Sequence, residues 1–337
     1  RANIEAVFKY GTGSGSSPIL AGTLDVHREL EQKLAEFKSC EDAMVFPSGF
    51  QTNYSLINGL LRSQDAVIND ILNHASIVEG CKGAQAKFGT RVDFYVHNNM
   101  KSLRKKLELA SNKCNGGKLV ITDGVFSMDG DIAPLPEICT LAREYGAKVV
   151  VDEAHSTGIL GKTGRGTCEH YSMKGQVDLI VGTFSKTFGA VGGFIAGKRK
   201  VIEYLRMYGP GYMFSTASAP GISAAVLKCL EIIEKDSSFR NQLWENTLYM
   251  QKELKSLGYD INGSQTPIIP VNVPHDKAFP LTLDLQKRNI FINPVIYPAV
   301  SKNRARLRIS LMSTHTREEL DQSLYALEGV GRKHGVI

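Results

Sequence analysis

Cysteine is scarce and never paired at a useful spacing in this chain of 337 residues. Cys40, Cys81, Cys114, Cys139, Cys168 and Cys229 lie far apart with no C-x-x-C among them. That argues against a zinc site and a disulfide framework, and fits a reducing compartment, the cytoplasm. No apolar run approaches the roughly 18 residues of a spanning helix, and no signal peptide opens the sequence. Massed positive charge is also missing. The net charge is only +6, and Arg104-Lys105-Lys106 reads as a solvated helix face rather than part of a nucleic-acid stripe. Such a mild excess suits the attraction of an anionic small substrate. Internal repeats are absent. An initiator methionine is absent too, Arg1 standing first, which points to an upstream segment.

What is present suits a large globular core, with 42% hydrophobic and 22% charged residues. Short apolar runs predict strands at Ala43–Phe46, Ala66–Asn69, Val92–Val96, Leu119–Thr122, Lys148–Asp152, Leu179–Gly182 and Gly193–Ala196. Amphipathic stretches such as Pro134–Tyr145 separate several of them. This alternation predicts an α/β fold with a mostly parallel sheet sandwiched by helices, its ligand site at the carboxyl ends of the strands. Residues 1–22 read as a Gly-rich connecting segment. Val26, Leu30, Leu34 and Phe37 then fall at helical spacing. The large domain is expected over 23–218. From 219 to 337 long helices (Ile222–Glu234, Phe239–Leu257) precede strands at Ile268–Val273, Ile290–Asn293 and Leu307–Leu311. A last helix opens on the capping box Thr316-Arg-Glu-Glu319. This second part is expected to be a smaller α+β domain.

Several motifs invite a nucleotide reading and fail it. Asp152-Glu-Ala-His155 after three valines is like a Walker B strand, and Gly161-Lys-Thr163 is like the end of a phosphate loop. That loop, however, needs Gly five positions before the Gly-Lys pair, where Ser156 stands. Gly11-Thr-Gly-Ser-Gly-Ser-Ser17 has no clear strand before it and reads as a flexible connection.

Other residues suit different chemistry. Lys186 follows the strand Leu179–Gly182 in a small, hydroxyl-rich turn, while Asp152 and His155 sit at the end of Lys148–Asp152. An amine, a carboxylate and an imidazole at neighbouring strand ends are what a pyridoxal 5'-phosphate (PLP) enzyme needs. The amine attaches the cofactor, and the carboxylate keeps the pyridine nitrogen protonated so that the ring withdraws electrons. His74, just before a helix, is placed either to stack on a flat ligand or to cap that helix. Pro47-Ser48-Gly49-Phe50 opens another helix, where N–H groups can hold phosphate. Arg306 and Arg308 share one strand face, and either can clamp a carboxylate.

Taken together, these segments resemble the α-oxoamine synthases, PLP-dependent enzymes of fold type I that join an amino acid to an acyl thioester with loss of carbon dioxide. The likeness spans nearly the whole chain: Gly22-Thr-Leu-Asp-Val-His27, Pro47-Ser-Gly-Phe50, Asn73-His-Ala-Ser76, Asp123-Gly-Val-Phe-Ser-Met-Asp-Gly130, Asp152-Glu-Ala-His155, Gly164-Arg-Gly166, Gly182-Thr-Phe-Ser-Lys186 and Phe214-Ser-Thr216. The resemblance implies that Lys186 holds the cofactor covalently and later moves the Cα proton. By the same likeness Asp152 pairs with the pyridine nitrogen, His155 with the ring hydroxyl, and His74 stacks on the ring. Ser127 and Thr183 line the cofactor. Ser48 also binds the cofactor; Gly49 and Phe50 offer N–H groups to its phosphate, Thr183 reaches towards it, and Thr216 arrives from a partner subunit of a homodimer. Arg308, chosen over Arg306 by its register with Met312-Ser-Thr-His315, binds the substrate carboxylate. No metal is implied.

Within the family, Phe291-Ile-Asn-Pro-Val-Ile296 and the lysine and Asp-Glu-Ala-His motifs look most like soluble bacterial serine palmitoyltransferases, with L-serine and an acyl-CoA as substrates. Glycine C-acetyltransferase and 8-amino-7-oxononanoate synthase are the alternatives, and a catalytically silent partner subunit is a different class. Pro18 replaces the usual Arg of the Gly-rich loop. The Asn-Tyr-Leu-Gly stretch that the resemblance places upstream does not fall within these 337 residues.

Overall fold

The computed structural model describes residues 1–337. The chain forms two compact units, Arg1–Val125 with Ala133–Lys235, and Phe126–Ile132 with Asp236–Ile337.

The first unit is built on a seven-stranded sheet. Its strands are β1 (Asp42–Phe46), β2 (Ala66–Asp70), β3 (Arg91–Tyr95), β4 (Lys118–Asp123), β5 (Lys148–Asp152), β6 (Leu179–Thr183) and β7 (Gly193–Gly197). They lie in the order β1-β7-β6-β5-β4-β2-β3, and only β7 runs against its neighbours. Every strand from β4 to β7 is buried over nearly its whole length, as a sheet covered on both faces requires. Alternation along β1 divides its side chains between the two layers. Met44 and Phe46 join one core with Leu56, Ile57, Ile121 and Val150. Ala43 and Val45 join another with Leu30, Leu34, Phe37 and Phe194.

Register decides where chemistry can occur. Phe46 pairs with Gly193, Gly193 with Thr183, Val181 with Asp152, and Asp152 with Asp123. The carboxyl ends of β1, β6, β5 and β4 therefore lie along one edge of the sheet.

The second unit has a three-stranded antiparallel sheet of β8 (Ile268–Asn272), β9 (Asn293–Val295) and β10 (Arg306–Ser310), in the order β8-β10-β9. Helices Ser238–Ser256, Ala278–Gln286 and Arg317–Lys333 close its core around Leu254, Ile269, Leu281, Leu307 and Leu327.

Three expectations need correction. Residues 1–22 are more than a connection: α1 (Ala2–Tyr10) is a helix that buries Ala6, and Pro18–Gly22 forms a π-helical turn. The helix Pro220–Lys235, expected to open the small domain, belongs to the first unit, where Val226 and Leu230 fill the core beside Leu30. The boundary thus follows Lys235, and Phe126–Ile132 joins the second unit through Gly130, whose carbonyl accepts from Thr266 Oγ1 at 3.0 Å. Finally, the strand expected at Ile290–Asn293 begins at Asn293, because Ile290 closes the preceding turn by donating its N–H to Leu285 at 3.0 Å.

Candidate active site

Asp152 ends β5 and is 5% exposed. The hydrogen-bond donors to its two oxygens are neutral: Asn53 Nδ2 at 2.7 Å and the Ala154 N–H at 2.9 Å. Burial pushes its carboxyl above the usual range, while those two bonds and the nearby His74 and Lys186 pull the other way. A buried carboxylate with only neutral donors is a poor resting place for a lone charge, and a good one for a cationic N–H. Asp123, its partner on β4, is pushed up further by burial and by Asp152 itself.

His74 caps α4 (Ala75–Phe88), its Nδ1 accepting the Ser76 N–H at 3.2 Å. The residue keeps an exposed edge. Its backbone N–H donates to Asp123 Oδ2 at 3.1 Å. Desolvation first, and then the Lys186 ammonium, push the imidazole below its ordinary value against the pull of Asp152. Lys186 thus lies near enough to act on His74, Asp152 and Asp123 at once. It is exposed in the turn between β6 and β7, and His155 is half-buried in the turn after β5.

A second cluster lies at the ends of β1 and β6. Ser48 caps α3 (Gly49–Leu60), its Oγ accepting the Gln51 N–H at 3.2 Å. Thr52 N–H reaches the Ser48 carbonyl at 3.1 Å. The N–H groups of Gly49 and Phe50 have no intrahelical acceptor, so the helix start offers them to an anion. A Cβ on Gly49 would stand 2.8 Å from Thr183 Oγ1, which shows how closely that hydroxyl approaches the turn. Thr183 also donates to the Gly192 carbonyl at 2.9 Å. Phe50 and Thr216 are exposed.

The fit to PLP is good on these grounds. A helix start and a hydroxyl suit its phosphate, a buried acid suits its ring nitrogen, and an amine suits its aldehyde.

Arg308 and Ser127 meet within the second unit, where Arg308 Nε donates to the Ser127 carbonyl at 2.7 Å and a terminal nitrogen to Ser310 Oγ at 2.6 Å. Both acceptors are neutral, and burial is what lowers its pKa. Arg306 differs: it is 1% exposed and paired with Asp129 at 2.8 Å.

Sequence reasoning passed over Asn53 and Lys38, and it quoted Ser76, Asp123 and Glu153 within motifs without giving them a role; Lys38 and Glu153 form a buried pair whose charged atoms lie 2.6 Å apart. Asn53 gave one signal, a poor helix former in the middle of an otherwise buried helical face. Burial pushes the Cys40 and Cys139 thiols up to about 11 and Cys81 to about 12, which keeps those three protonated.

Comparison with known proteins agrees with this geometry. Residues 2–327 match the family described as aminotransferase class I and II. The chain is 45% identical to 8-amino-7-oxononanoate synthase of Symbiobacterium thermophilum, covering all of this chain and 85% of that one. It is 42% identical to the enzyme of the same name from Thermoanaerobacter pseudethanolicus, covering 100% and 84%. Among solved structures, serine palmitoyltransferase from S. paucimobilis with PLP and myriocin bound is similar with a TM-score of 0.94 at 32% identity, covering 100% of this chain and 84% of that one. The chain belongs to the aminotransferase class I and II family with PLP fold type I, and within it is a PLP-dependent α-oxoamine synthase.

Proposed function

We propose that the chain condenses L-alanine with a seven-carbon dicarboxylic acyl thioester to give 8-amino-7-oxononanoate, carbon dioxide and a free thiol. The observation that carries this reading is identity of 42–45% over the whole of this chain to enzymes named for that product, against 32% for the serine palmitoyltransferase. The product's name fixes its substrates. Its amine lies on the carbon beside the terminal methyl, and its ketone on the next carbon. Cutting the bond between them leaves the alanine skeleton less its carboxyl, and a seven-carbon acyl group with an acid at its far end.

The serine palmitoyltransferase-like expectation therefore yields to the alternative held beside it. A TM-score of 0.94 keeps it as the second reading, since both reactions run on one scaffold.

PLP, when bound, supplies an electron sink for the Cα carbanion. The chain's residues do the rest. Lys186 would hold the cofactor through its amine and, once the substrate's own amine has displaced it, would take the Cα proton. Asp152 holds the ring-nitrogen proton in place, His155 meets the ring hydroxyl, and His74 covers the ring face. Ser127 lines the cofactor. Ser48, Gly49, Phe50 and Thr183 receive its phosphate, with Thr216 of a second copy of the chain. Arg308 binds the alanine carboxylate and so aligns the Cα–H bond for cleavage. The new carbon–carbon bond would form as the thiolate leaves, the carboxylate would depart as carbon dioxide, and the carbon it leaves would take back a proton from the Lys186 ammonium. A homodimer is part of this proposal, and so is the cytoplasm, a reducing compartment that suits six free cysteines. No helix is long and apolar enough to cross a membrane.

The test is a spectral titration of the holoenzyme with alanine, glycine and serine, followed by product masses after adding heptanedioyl-CoA or palmitoyl-CoA. Alanine with the dicarboxylic donor should give the nine-carbon amino ketone. Turnover only of serine with palmitoyl-CoA would overturn the proposal.

A further inference from the structure

Four polar groups of the first unit form an unbroken hydrogen-bonded chain: Asp152, Asn53, Ser76 and His74. Asn53 is 3% exposed and Ser76 is 1% exposed, so water cannot readily replace either. Asn53 Nδ2 donates to Asp152 Oδ2 at 2.7 Å and to Ser76 Oγ at 2.9 Å. An amide nitrogen has two N–H bonds and no lone pair to offer, so both bonds run outward. The opposite orientation of the amide would set its oxygen against a carboxylate. Ser76 Oγ is thus an acceptor from Asn53, and its own hydrogen is left to go elsewhere. His74 Nδ1 lies 2.7 Å away. The Ser76 backbone N–H points at the same ring nitrogen from 3.2 Å.

The backbone N–H can only donate, so Nδ1 is left to accept, and the Ser76 hydroxyl hydrogen can join it there; a proton on Nδ1 would set N–H against N–H. We propose that Ser76 and Asn53 are positioning residues that hold His74 as the neutral imidazole protonated on Nε2, and that couple it to Asp152.

The charged surroundings can be named from each element. Asp152 faces the ring from β5, Lys186 from the β6–β7 turn, and Asp123 from β4, where its carboxylate takes the His74 backbone N–H. Asp152 favours an imidazolium, while Lys186 and desolvation oppose it. The donor pair at Nδ1 adds to the opposing side. The consequence concerns charge allocation. An imidazolium at this position would compete for Asp152, the acid that the cofactor's ring nitrogen requires. A neutral ring leaves Asp152 to one cation. Only this consequence rests on the cofactor reading. The chain itself does not depend on which amino acid or thioester is used, so its failure and that of the proposed condensation are separable.

The experiment is ¹⁵N NMR of histidine-labelled holoenzyme across a pH series, with His74 assigned by loss of its signals in His74→Gln. Wild type should show a neutral Nε2–H imidazole at neutral pH. Ser76→Ala should raise the His74 midpoint by about one unit and give mixed tautomers, and Ser76→Thr, which keeps the hydroxyl, should restore the wild-type pattern. The acid limb of kcat/KM should move with the midpoint. An Nδ1–H tautomer or an imidazolium in wild type at neutral pH would overturn the proposal, whether or not the variants fold. So would a Ser76→Ala protein with unchanged ring shifts and midpoint.

Discussion

Arg306 and Arg308 stand two positions apart on β10, and the difference in their neighbours separates their duties. Arg306 is committed to Asp129 and to the Met128 carbonyl at 2.7 Å. Breaking a buried pair of this kind costs about 3–5 kcal/mol, so Arg306→Ala should lower the melting temperature strongly. Arg308 has only neutral acceptors, so Arg308→Ala should leave stability nearly intact and weaken amino-acid binding at least about tenfold. Equal melting losses in the two variants would refute the division. A pH test belongs to Asp123. Its folded pKa is raised, so the protonated carboxyl favours the fold, and that contribution is lost as pH rises through the folded value. Asp123→Asn keeps an acceptor for the His74 N–H. Its melting temperature relative to wild type should therefore climb as pH rises above the ordinary carboxylate range, measured on cofactor-free protein. A constant gap would mean that Asp123 does not titrate in that window.

At the level of elements, the site is a strand edge tied to helix starts. The turn after β5 is anchored by Lys38, whose ammonium reaches Glu153 at 2.6 Å, Thr157 Oγ1 at 2.8 Å and the Arg165 carbonyl at 2.6 Å. Glu153 also accepts the Cys168 N–H at 2.8 Å. Lys38→Met would strand that carboxylate and should cost about 3–5 kcal/mol, with loss of retained cofactor. Full PLP retention at an unchanged melting temperature would count against the strut. At α3, Gly49→Ala should weaken PLP binding by tenfold or more, because its Cβ would meet the Thr183 hydroxyl at 2.8 Å. Wild-type affinity by fluorescence titration would argue that the phosphate lies elsewhere.

These elements also mark how far the sequence could be read. Strands β1, β2, β4, β5, β6 and β7 were legible because apolar runs such as Val149-Val-Val151 bounded by polar turns admit few other structures. The Arg317–Lys333 helix announced itself through Thr316 and Glu319, which cap it as expected. Helix α1 was illegible: its buried contact depends on Gly221, where an added Cβ would meet Asn3 at 2.9 Å, a partner remote in sequence. Asn53 and Ser76 escaped for the same reason. Each is an ordinary polar residue until folding points it at Asp152 or His74.

For the whole molecule, the open question is which chain serves which site. The first unit exposes large apolar side chains: Phe8 at 87%, Leu20 at 80%, Phe214 at 82% and Val191 at 63%. Ile4 and Phe8 share one face of α1 by their spacing, on a helix that otherwise packs on Pro220–Lys235. Apolar surface of this kind favours self-association, and Thr216, exposed beside Phe214, is proposed to act across it. Mixing two defective chains tests that arrangement. A Lys186→Ala chain cannot attach the cofactor but can lend Thr216, while a Thr216→Ala chain keeps its lysine and lacks the hydroxyl. If the threonine crosses to the other subunit, their hybrid contains one site with both groups, and that site should regain the wild-type affinity for PLP that Thr216→Ala loses. If Thr216 serves its own chain, every site in the hybrid lacks one group and no recovery occurs. Titrating PLP into purified hybrids separates the outcomes, and light scattering on the same samples establishes that they are dimers. Recovery also requires that the two sites bind independently, so half the wild-type stoichiometry at full affinity is the expected signature.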